Sequence, residues 1–302
     1  MRIGMIGLGR MGLNMTKRLI QHGHQVVAFA LSPESVAEAA KFGAEGAESL
    51  QDLVSKLEVP KIAWIMVPSG EPTQSTIEAL SEMLEAGDVV IDGGNSYYKD
   101  TLQHAELLAD HKIEMVDVGV SGGIWGLKEG YGMMAGGNNA AIERLTPIFE
   151  SLAPAPEKGW GHVGPNGAGH FVKMVHNGIE YGMMQAYAEG FALMKAKGEF
   201  DLDLHQVAEV WRFGTVIRSW LLDLTARALE NDQDLDALAA WVDDSGEGRW
   251  TVQEAVDLAV PVPVIGDALF ARFRSRQPDN YADKLLAAMR KQFGGHAVKS
   301  SE

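Results

Sequence analysis

The chain contains no cysteine in its 302 residues. That excludes disulfides, thiolate metal sites and a cysteine nucleophile. No apolar run approaches the roughly 20 residues that cross a bilayer, and Met1–Ile6 reads as a short strand leading straight into a glycine loop, not as a secretory leader. Positive charge is scarce: 26 Lys and Arg stand against 41 Asp and Glu, a formal net charge of −15. Such a balance argues against nucleic acid or an anionic membrane as a partner and predicts a cytoplasmic protein. The scarcity has one local exception. Between Arg272 and Lys299 seven Lys and Arg (Arg272, Arg274, Arg276, Lys284, Arg290, Lys291, Lys299) face only Asp279 and Asp283. An anionic ligand would have to be held by local charge of this kind.

What is present begins with Arg2–Ile6, an apolar strand followed by Gly7-Leu8-Gly9-Arg10-Met11-Gly12, a helical run from Leu13 to His22 and a second apolar strand, Gln25–Ala30. Strand, GxGxxG, helix and strand in that order define a dinucleotide-binding turn. The first two glycines permit the tight turn and close approach of a pyrophosphate, and Gly12 lets helix and strand pack. The second strand ends Ala30-Leu31-Ser32, where an acid would select NAD and an arginine NADP. Neither is there, and Ser32 can hydrogen-bond either form, so the cofactor is NAD or NADP. Lys61–Val67 is a strand ending at Pro68, which puts Val67 and Pro68 at the cofactor edge of the sheet. Asp88–Ile91 runs into Asp92-Gly93-Gly94-Asn95-Ser96, where Asn95 offers donor and acceptor to a carboxamide or a sugar hydroxyl. Glu114–Gly119 leads to Ser121-Gly122-Gly123, a hydroxyl and bare backbone amides suited to a carboxylate or phosphate. Tyr131–Gly136 is read as the last strand. The Pro- and Gly-rich stretch around Gly164 marks a domain boundary. Beyond it the period is helical throughout, including Asp234–Val242 and Thr251–Leu258. The expected fold is α/β: a Rossmann-type doubly wound parallel sheet over residues 1–164, then an all-α domain over 165–302.

The first helix after the boundary carries the chemistry. Lys173, Asn177 and Glu180 fall at i, i+4 and i+7, on one face, flanked by His176 and Tyr181. Met174, Val175, Ile179, Met183 and Met184 are apolar, so the helix is expected to be largely buried. Burial lowers a lysine pKa and raises a glutamate pKa, which suits proton transfer near neutrality. The plainer alternative is an internal ion pair on a core helix.

With these motifs placed, the sequence resembles the decarboxylating 6-phosphogluconate dehydrogenases, in their short form, from Met1 to about His296. The matching stretches are Gly7–Gly12, Asp92–Ser96, Asp117–Gly123, Lys173–Gly182, Trp211–Ser219, Gly248–Thr251 and Arg290–His296. The run His176-Asn177-Gly178-Ile179-Glu180-Tyr181 is the most specific of them. The resemblance implies oxidation and decarboxylation of 6-phosphogluconate to ribulose 5-phosphate with NAD or NADP and no metal. It implies Lys173 as the base, Glu180 as the acid and Asn177 beside them. Asn95, Ser121, Gly122, Gly123, His176, Asn177 and Tyr181 would orient substrate, and Arg218 and Arg249 would meet its phosphate. Arg290 and His296 match tail residues that reach a neighbouring subunit's site, which implies a homodimer or homotetramer. Where NADP-dependent members usually carry an arginine this chain has Leu31, and the acid of NAD-preferring members is missing near Ala30. Two other readings are a dehydrogenase for a small unphosphorylated hydroxy acid, which needs no phosphate clamp, and a silent dinucleotide-binding module, which needs no Lys173.

Overall fold

Apolar runs of four to five residues, too short for helices and bounded by glycine, become strands. In the computed structural model, which describes residues 1–294, 297 and 299, the order is β1 (Arg2–Ile6), α1 (Arg10–Gln21), β2 (Gln25–Phe29), α2 (Pro33–Ala40), β3 (Glu45–Gly46), α3 (Leu50–Ser55), β4 (Ile62–Ile65), α4 (Glu71–Ser81), β5 (Val89–Asp92), α5 (Tyr98–Asp110), β6 (Glu114–Ser121), α6 (Gly126–Glu129), β7 (Gly132–Gly137), α7 (Asn139–Leu152) and β8 (Trp160–Gly164). The eight strands form one sheet in the order β3-β2-β1-β4-β5-β6-β7-β8. Strand order reverses between β1 and β4, the switch point where open α/β sheets bind ligands beyond their carboxyl ends.

Side chains alternate between the two faces, as period-2 geometry requires. Ile3, Met5, Ile62, Trp64, Val89 and Ile91 pack with Met15 and Leu19 of α1 and with Phe149 of α7. Ile6, Ala63, Ile65 and Val90 pack on the other face with Leu53, Ile77 and Leu108 of α3, α4 and α5. Both faces are covered, so the central strands are apolar throughout, and each buried Ile or Leu contributes roughly 1.5–3 kcal/mol. Buried Arg18 of α1 donates to the carbonyls of Leu127, Ser151 and Ala153 at 3.2, 3.0 and 2.6 Å, tying α1 to α6 and to the end of α7.

Two features depart from the sequence reading. The sheet is not wholly parallel: β6 and β7 are antiparallel, with Gly119 opposite Met134 and Ser121 opposite Gly132. Residues 122–131 hold only a 3-10 turn (Gly123–Trp125) and short α6, too little for the crossover that a parallel partner demands. Nor is β7 the last strand, because β8 adds in parallel at the edge.

α8 (Ala168–Ala196) is followed by α9 (Leu204–Trp211), α10 (Trp220–Leu229), α11 (Glu247–Asp257), α12 (Pro263–Ser275) and α13 (Tyr281–Gly294). The chain divides into two compact units within α8, Met1–His176 and Asn177 onward. The second unit has small cores: Phe191, Leu204, Ala208, Leu222, Ala226 and Leu229 in one, and Tyr181, Ala268 and Leu269 in another. The expected helix over Asp234–Val242 does not form. Asp232 Oδ1 accepts from the amides of Asp234 and Leu235 at 3.1 and 2.9 Å, and Leu235 sits at φ 55°. This side-chain-to-backbone turn competes with a helix and wins. No helix among the described residues is long and apolar enough to cross a membrane.

Candidate active site

The glycine loop shows which of its constraints come from the protein. Gly7 has φ +96° and a Cβ there would stand 2.6 Å from Met66 O; at Gly12 it would stand 2.0 Å from Gly7 O. Gly9 differs. A Cβ on it would meet no protein atom within 4 Å, and its φ of −65° is open to any residue. The space beside it is therefore kept for something outside the chain. α1 begins there with no side-chain cap and no acid in its first turn, so its amino end is left for an anion. Leu8 is buried, whereas Arg10 is exposed and Met11 half-buried at the start of α1. This cradle fits a dinucleotide pyrophosphate.

The neighbouring strand ends converge on the loop. A Cβ on Gly7 would touch Val67 Cγ1 at 3.0 Å, and one on Gly94 would touch Val67 O at 3.1 Å. Pro68 O accepts from Thr73 Oγ1 at 2.9 Å, which fixes the turn into α4. Buried Asp92 shapes the next loop, accepting from Gly94 N at 3.0 Å and Ser96 Oγ at 2.7 Å and leaving Asn95 exposed at the tip. After β2, Ala30 is half-buried while Leu31 and Ser32 are exposed.

Lys173 lies against β6. A Cβ on Gly119 would stand 2.3 Å from Lys173 Cβ and 2.8 Å from Gly169 O, so only glycine lets α8 approach so closely. Two residues on, Ser121, Gly122 (φ +125°) and Gly123 (φ +50°) turn away from the sheet. Buried Tyr131 supports them: its ring would collide with a Cβ on Gly126 at 2.0 Å. Burial pushes the Tyr131 phenol up to about 12. Lys173 is 7% exposed, and its Nζ stands 3.4 Å from Nδ1 of exposed His176, at the long end of hydrogen-bond distance.

The sequence reading quoted Asp117 without giving it a role. Its buried carboxylate accepts from Gly167 N at 2.7 Å and His170 N at 2.9 Å, across roughly fifty residues of chain. It thereby caps the amino end of α8 and sets the position of Lys173, as a carboxylate at a helix N-terminus does.

α8 continues without a break into the second unit. There Asn177 is 9% exposed, Tyr181 is 7% exposed and Glu180 is half-buried. The helix is less buried than the largely buried one expected: Ile179, Met183 and Met184 are 52, 39 and 41% exposed. Among the described residues, the face with Lys173, Asn177 and Tyr181 is the one that is covered. Gly178 packs on Thr251, and Gly248 lies against the Tyr181 ring. The Tyr181 hydroxyl accepts from Ser245 N at 3.3 Å.

Arg272 was missed by the sequence reading, which counted it only as part of a basic segment. Its guanidinium lies 3.7 Å from the centre of the Tyr181 ring, and its Nη1 donates to Asp243 O at 2.7 Å. Arg249 is differently engaged. It pairs with Asp244 through two bonds of 2.7 and 3.0 Å, and Arg276 joins the same carboxylate at 2.9 Å. Hydrogen bonds from Arg249, then Arg276, hold the Asp244 carboxyl below its usual range. Arg218 stands exposed between α9 and α10, in a loop whose Ile217 carbonyl and Ser219 hydroxyl are bound by Tyr187. Through Tyr187 that loop joins the Phe191 core. Arg290 is exposed on α13. His296 lies outside the described residues. In the basic segment, Arg274 pairs with Asp283 and Lys284 with Asp279. Among the described residues no group of three His, Asp or Glu could hold a metal.

A dinucleotide cradle on a mostly parallel sheet, continuing through one helix into a helical unit, defines a nicotinamide-dependent oxidoreductase of the two-domain kind. The profile for the NAD binding domain of 6-phosphogluconate dehydrogenase matches residues 2–164, and that for the enzyme's C-terminal domain matches 169–302. Over 299 residues the chain is 46% identical to an NAD(+)-dependent, decarboxylating 6-phosphogluconate dehydrogenase of Haloferax volcanii, covering 99% of this chain and 98% of that protein. It is 38% identical over 287 residues to an NADP(+)-dependent, decarboxylating 6-phosphogluconate dehydrogenase of Bacillus subtilis, covering 91% of this chain and 61% of that one. A solved 6-phosphogluconate dehydrogenase of Plasmodium falciparum superposes with a TM-score of 0.85 at 28% identity, over 100% of this chain and 67% of that chain. The chain belongs to the 6-phosphogluconate dehydrogenase family, as its motifs implied.

Proposed function

We propose that this chain oxidises and decarboxylates 6-phosphogluconate to ribulose 5-phosphate and CO2, with reduction of NAD or NADP. The observation that carries the reading is Lys173, a buried amine seated on β6 through Gly119, two residues before the Ser121 loop and ahead of Asn177 and Glu180 on one helix face. A dinucleotide held by the glycine loop of Gly7, Gly9 and Gly12 would supply the acceptor for a hydride leaving C3. Lys173, neutral at the start, takes the C3 hydroxyl proton as that hydride leaves. As an ammonium it gives that proton to the C3 oxygen while the bond to the carboxylate breaks and CO2 departs, leaving an enediol and a neutral amine. Glu180 then gives a proton to the carbon that lost CO2, which becomes C1 of the product, while Lys173 takes the proton of the former C3 hydroxyl back and the ketone forms. Asn95, Ser121, Gly122, Gly123, His176, Asn177 and Tyr181 orient the sugar acid.

We assign its phosphate to Arg272 first, because that guanidinium already lies over Tyr181. Arg249 can contribute only by loosening its fork on Asp244. In domain terms, residues 1–164 hold the dinucleotide and 165–302 the remaining substrate contacts and an assembly surface. Val216, Leu193 and Phe213 are 98, 73 and 69% exposed, and α13 shows Tyr281, Leu286 and Met289 at 77, 55 and 45%. Apolar surface on this scale marks an interface, and a homo-oligomer is the occupant we propose. Light scattering that finds only a 32.7 kDa species refutes the assembly.

Lys173→Met is expected to abolish NAD(P)H formation from 6-phosphogluconate while dinucleotide binding persists. Turnover of an unphosphorylated hydroxy acid in preference to 6-phosphogluconate by the unaltered protein would overturn the substrate assignment. CO2 release by the variant would overturn the role of Lys173.

A further inference from the structure

We infer that this chain discriminates in favour of NAD over NADP, and that Glu34, from the first turn of α2 rather than from the strand end, is the discriminating residue. The inference deepens the cofactor half of the proposed function and rests on it. β2 runs beside β1 with Ile6 opposite Phe29, and Gly7 N donates to Phe29 O at 2.9 Å. The chain therefore leaves β2 at Ala30 beside the glycine loop and enters α2 at Pro33, in the region where this fold receives the adenosine ribose.

The polar groups there are few and already arranged. Leu31 is 95% exposed and offers nothing to a phosphate. Ser32 Oγ accepts from Ser35 N at 3.3 Å as the cap of α2, and it gives its only proton to Glu34 Oε2 at 2.6 Å. That bond, with one from its own backbone amide, lowers the Glu34 carboxyl below its usual pKa, so it is ionised at neutral pH. A free amino end on α2 would attract an anion, but this one is capped by Ser32 and carries Glu34.

A 2′-phosphate bears nearly two negative charges and needs donors or a cation. Here it would find a hydroxyl whose proton is committed and, beside it, a carboxylate. The cations on the surrounding elements are engaged elsewhere. Lys41 pairs with Glu38 at 2.5 Å, Lys17 lies over Phe42 at 4.2 Å, and Arg2 pairs with Glu45. Arg10 stands at the amino end of α1, beside the pyrophosphate cradle. A ribose 2′-hydroxyl faces no such penalty, since it can donate to Glu34.

The test is titration of the full-length protein with NADH and with NADPH, followed by nicotinamide fluorescence without sugar acid. NADPH is expected to bind about tenfold or more weakly than NADH in dilute salt. The gap should narrow at 0.5 M NaCl, where the screening length falls to roughly 4 Å. Glu34→Gln should tighten NADPH severalfold, hold NADH within about threefold since the amide oxygen still accepts, and remove the salt dependence of the ratio. Leu31→Arg, which leaves Glu34 in place, should tighten NADPH on its own. Equal affinities in the unaltered protein overturn the inference. So does a Glu34→Gln variant that keeps both the ratio and its salt dependence. Because no sugar acid is present, failure of the 6-phosphogluconate assignment would leave these titrations untouched, and the reverse holds too.

Discussion

Gly119→Ala tests whether the contact between β6 and α8 sets the position of Lys173. The added Cβ would stand 2.3 Å from Lys173 Cβ, 3.0 Å from its Cγ and 2.8 Å from Gly169 O. Carbon atoms rest at about 3.5–4.0 Å, so α8 and β6 must part by at least about 1 Å. Turning the lysine side chain does not relieve the clash, because its Cβ and the Gly169 carbonyl are both fixed to the helix. Nor can the helix slide freely, since Asp117 on the same strand holds the amides of Gly167 and His170. Overpacking of this kind costs about 1–3 kcal/mol. A displacement of about 1 Å at a reacting group costs on the order of a hundredfold in rate. The expected variant melts a few degrees lower, binds NADH normally and loses about two orders of magnitude in kcat with 6-phosphogluconate. Gly161→Ala is the control: its Cβ meets nothing within 4 Å, and the change should be silent in all three assays. Normal kcat and normal melting in Gly119→Ala would refute the argument. Loss of NADH binding would refute it as well, by showing that the strain travels to the glycine loop instead of to Lys173.

Two further outcomes follow from other parts of the chain. Gly9→Ala removes no protein contact, so its cost in stability should stay within about 1 kcal/mol, while calorimetry should show dinucleotide affinity falling by an order of magnitude or more because the methyl occupies the ligand's space. Asp244→Asn should destabilise the protein by roughly 1–3 kcal/mol at pH 7 through loss of charge-assisted bonds. Because the folded-state pKa of Asp244 is depressed, its contribution is present above the unfolded value of about 4 and is lost as pH falls through the folded value. Chemical denaturation curves of the two proteins should therefore draw together as pH falls below about 4, and a difference as large at pH 2 as at pH 7 would contradict the pairing with Arg249 and Arg276.

The strands that carry the cradle were legible because they are buried on both faces and so appear as plain apolar runs. β1, β4, β5 and β6 each end in a glycine-bearing loop that the sequence shows directly. β8 was not legible. Trp160-Gly161-His162-Val163-Gly164 is an edge strand with His162 and Val163 exposed, and its glycines read as a boundary. The helix expected at Asp234–Val242 had a helical pattern of leucines, but a side-chain turn at Asp232 outcompeted it. Among site residues, Lys173, Asn177 and Tyr181 share a covered face because helical spacing is a local property. Asp117 capping a helix some fifty residues away and Arg272 stacking on Tyr181 from α12 are pairings that no window of sequence contains. Arg249 misled for the opposite reason: its partner Asp244 lies only five residues back, outside the spacing at which a helix pairs its charges.

Glycines make the same point in one residue type. In the sequence the glycine motif sets Gly9 and Gly12 apart, but nothing there gives Gly119 a role. With atoms in place, Gly12 and Gly119 are required by backbone or side chain within 2.3 Å of where a Cβ would go, whereas Gly9 is required by nothing in the chain. A glycine with ordinary φ and open space beside it is not required by the chain itself, and at the head of α1 the cause is a ligand. Gly190 meets the same two conditions in the middle of α8, where glycine costs about 1 kcal/mol relative to alanine. It lies three residues from exposed Leu193 and seven from exposed Met183, on the helix that also shows Ile179 to solvent. The backbone left bare there suits the close approach of another protein surface. The oligomer we propose would have its seam along this far half of α8, the helix that also carries Lys173.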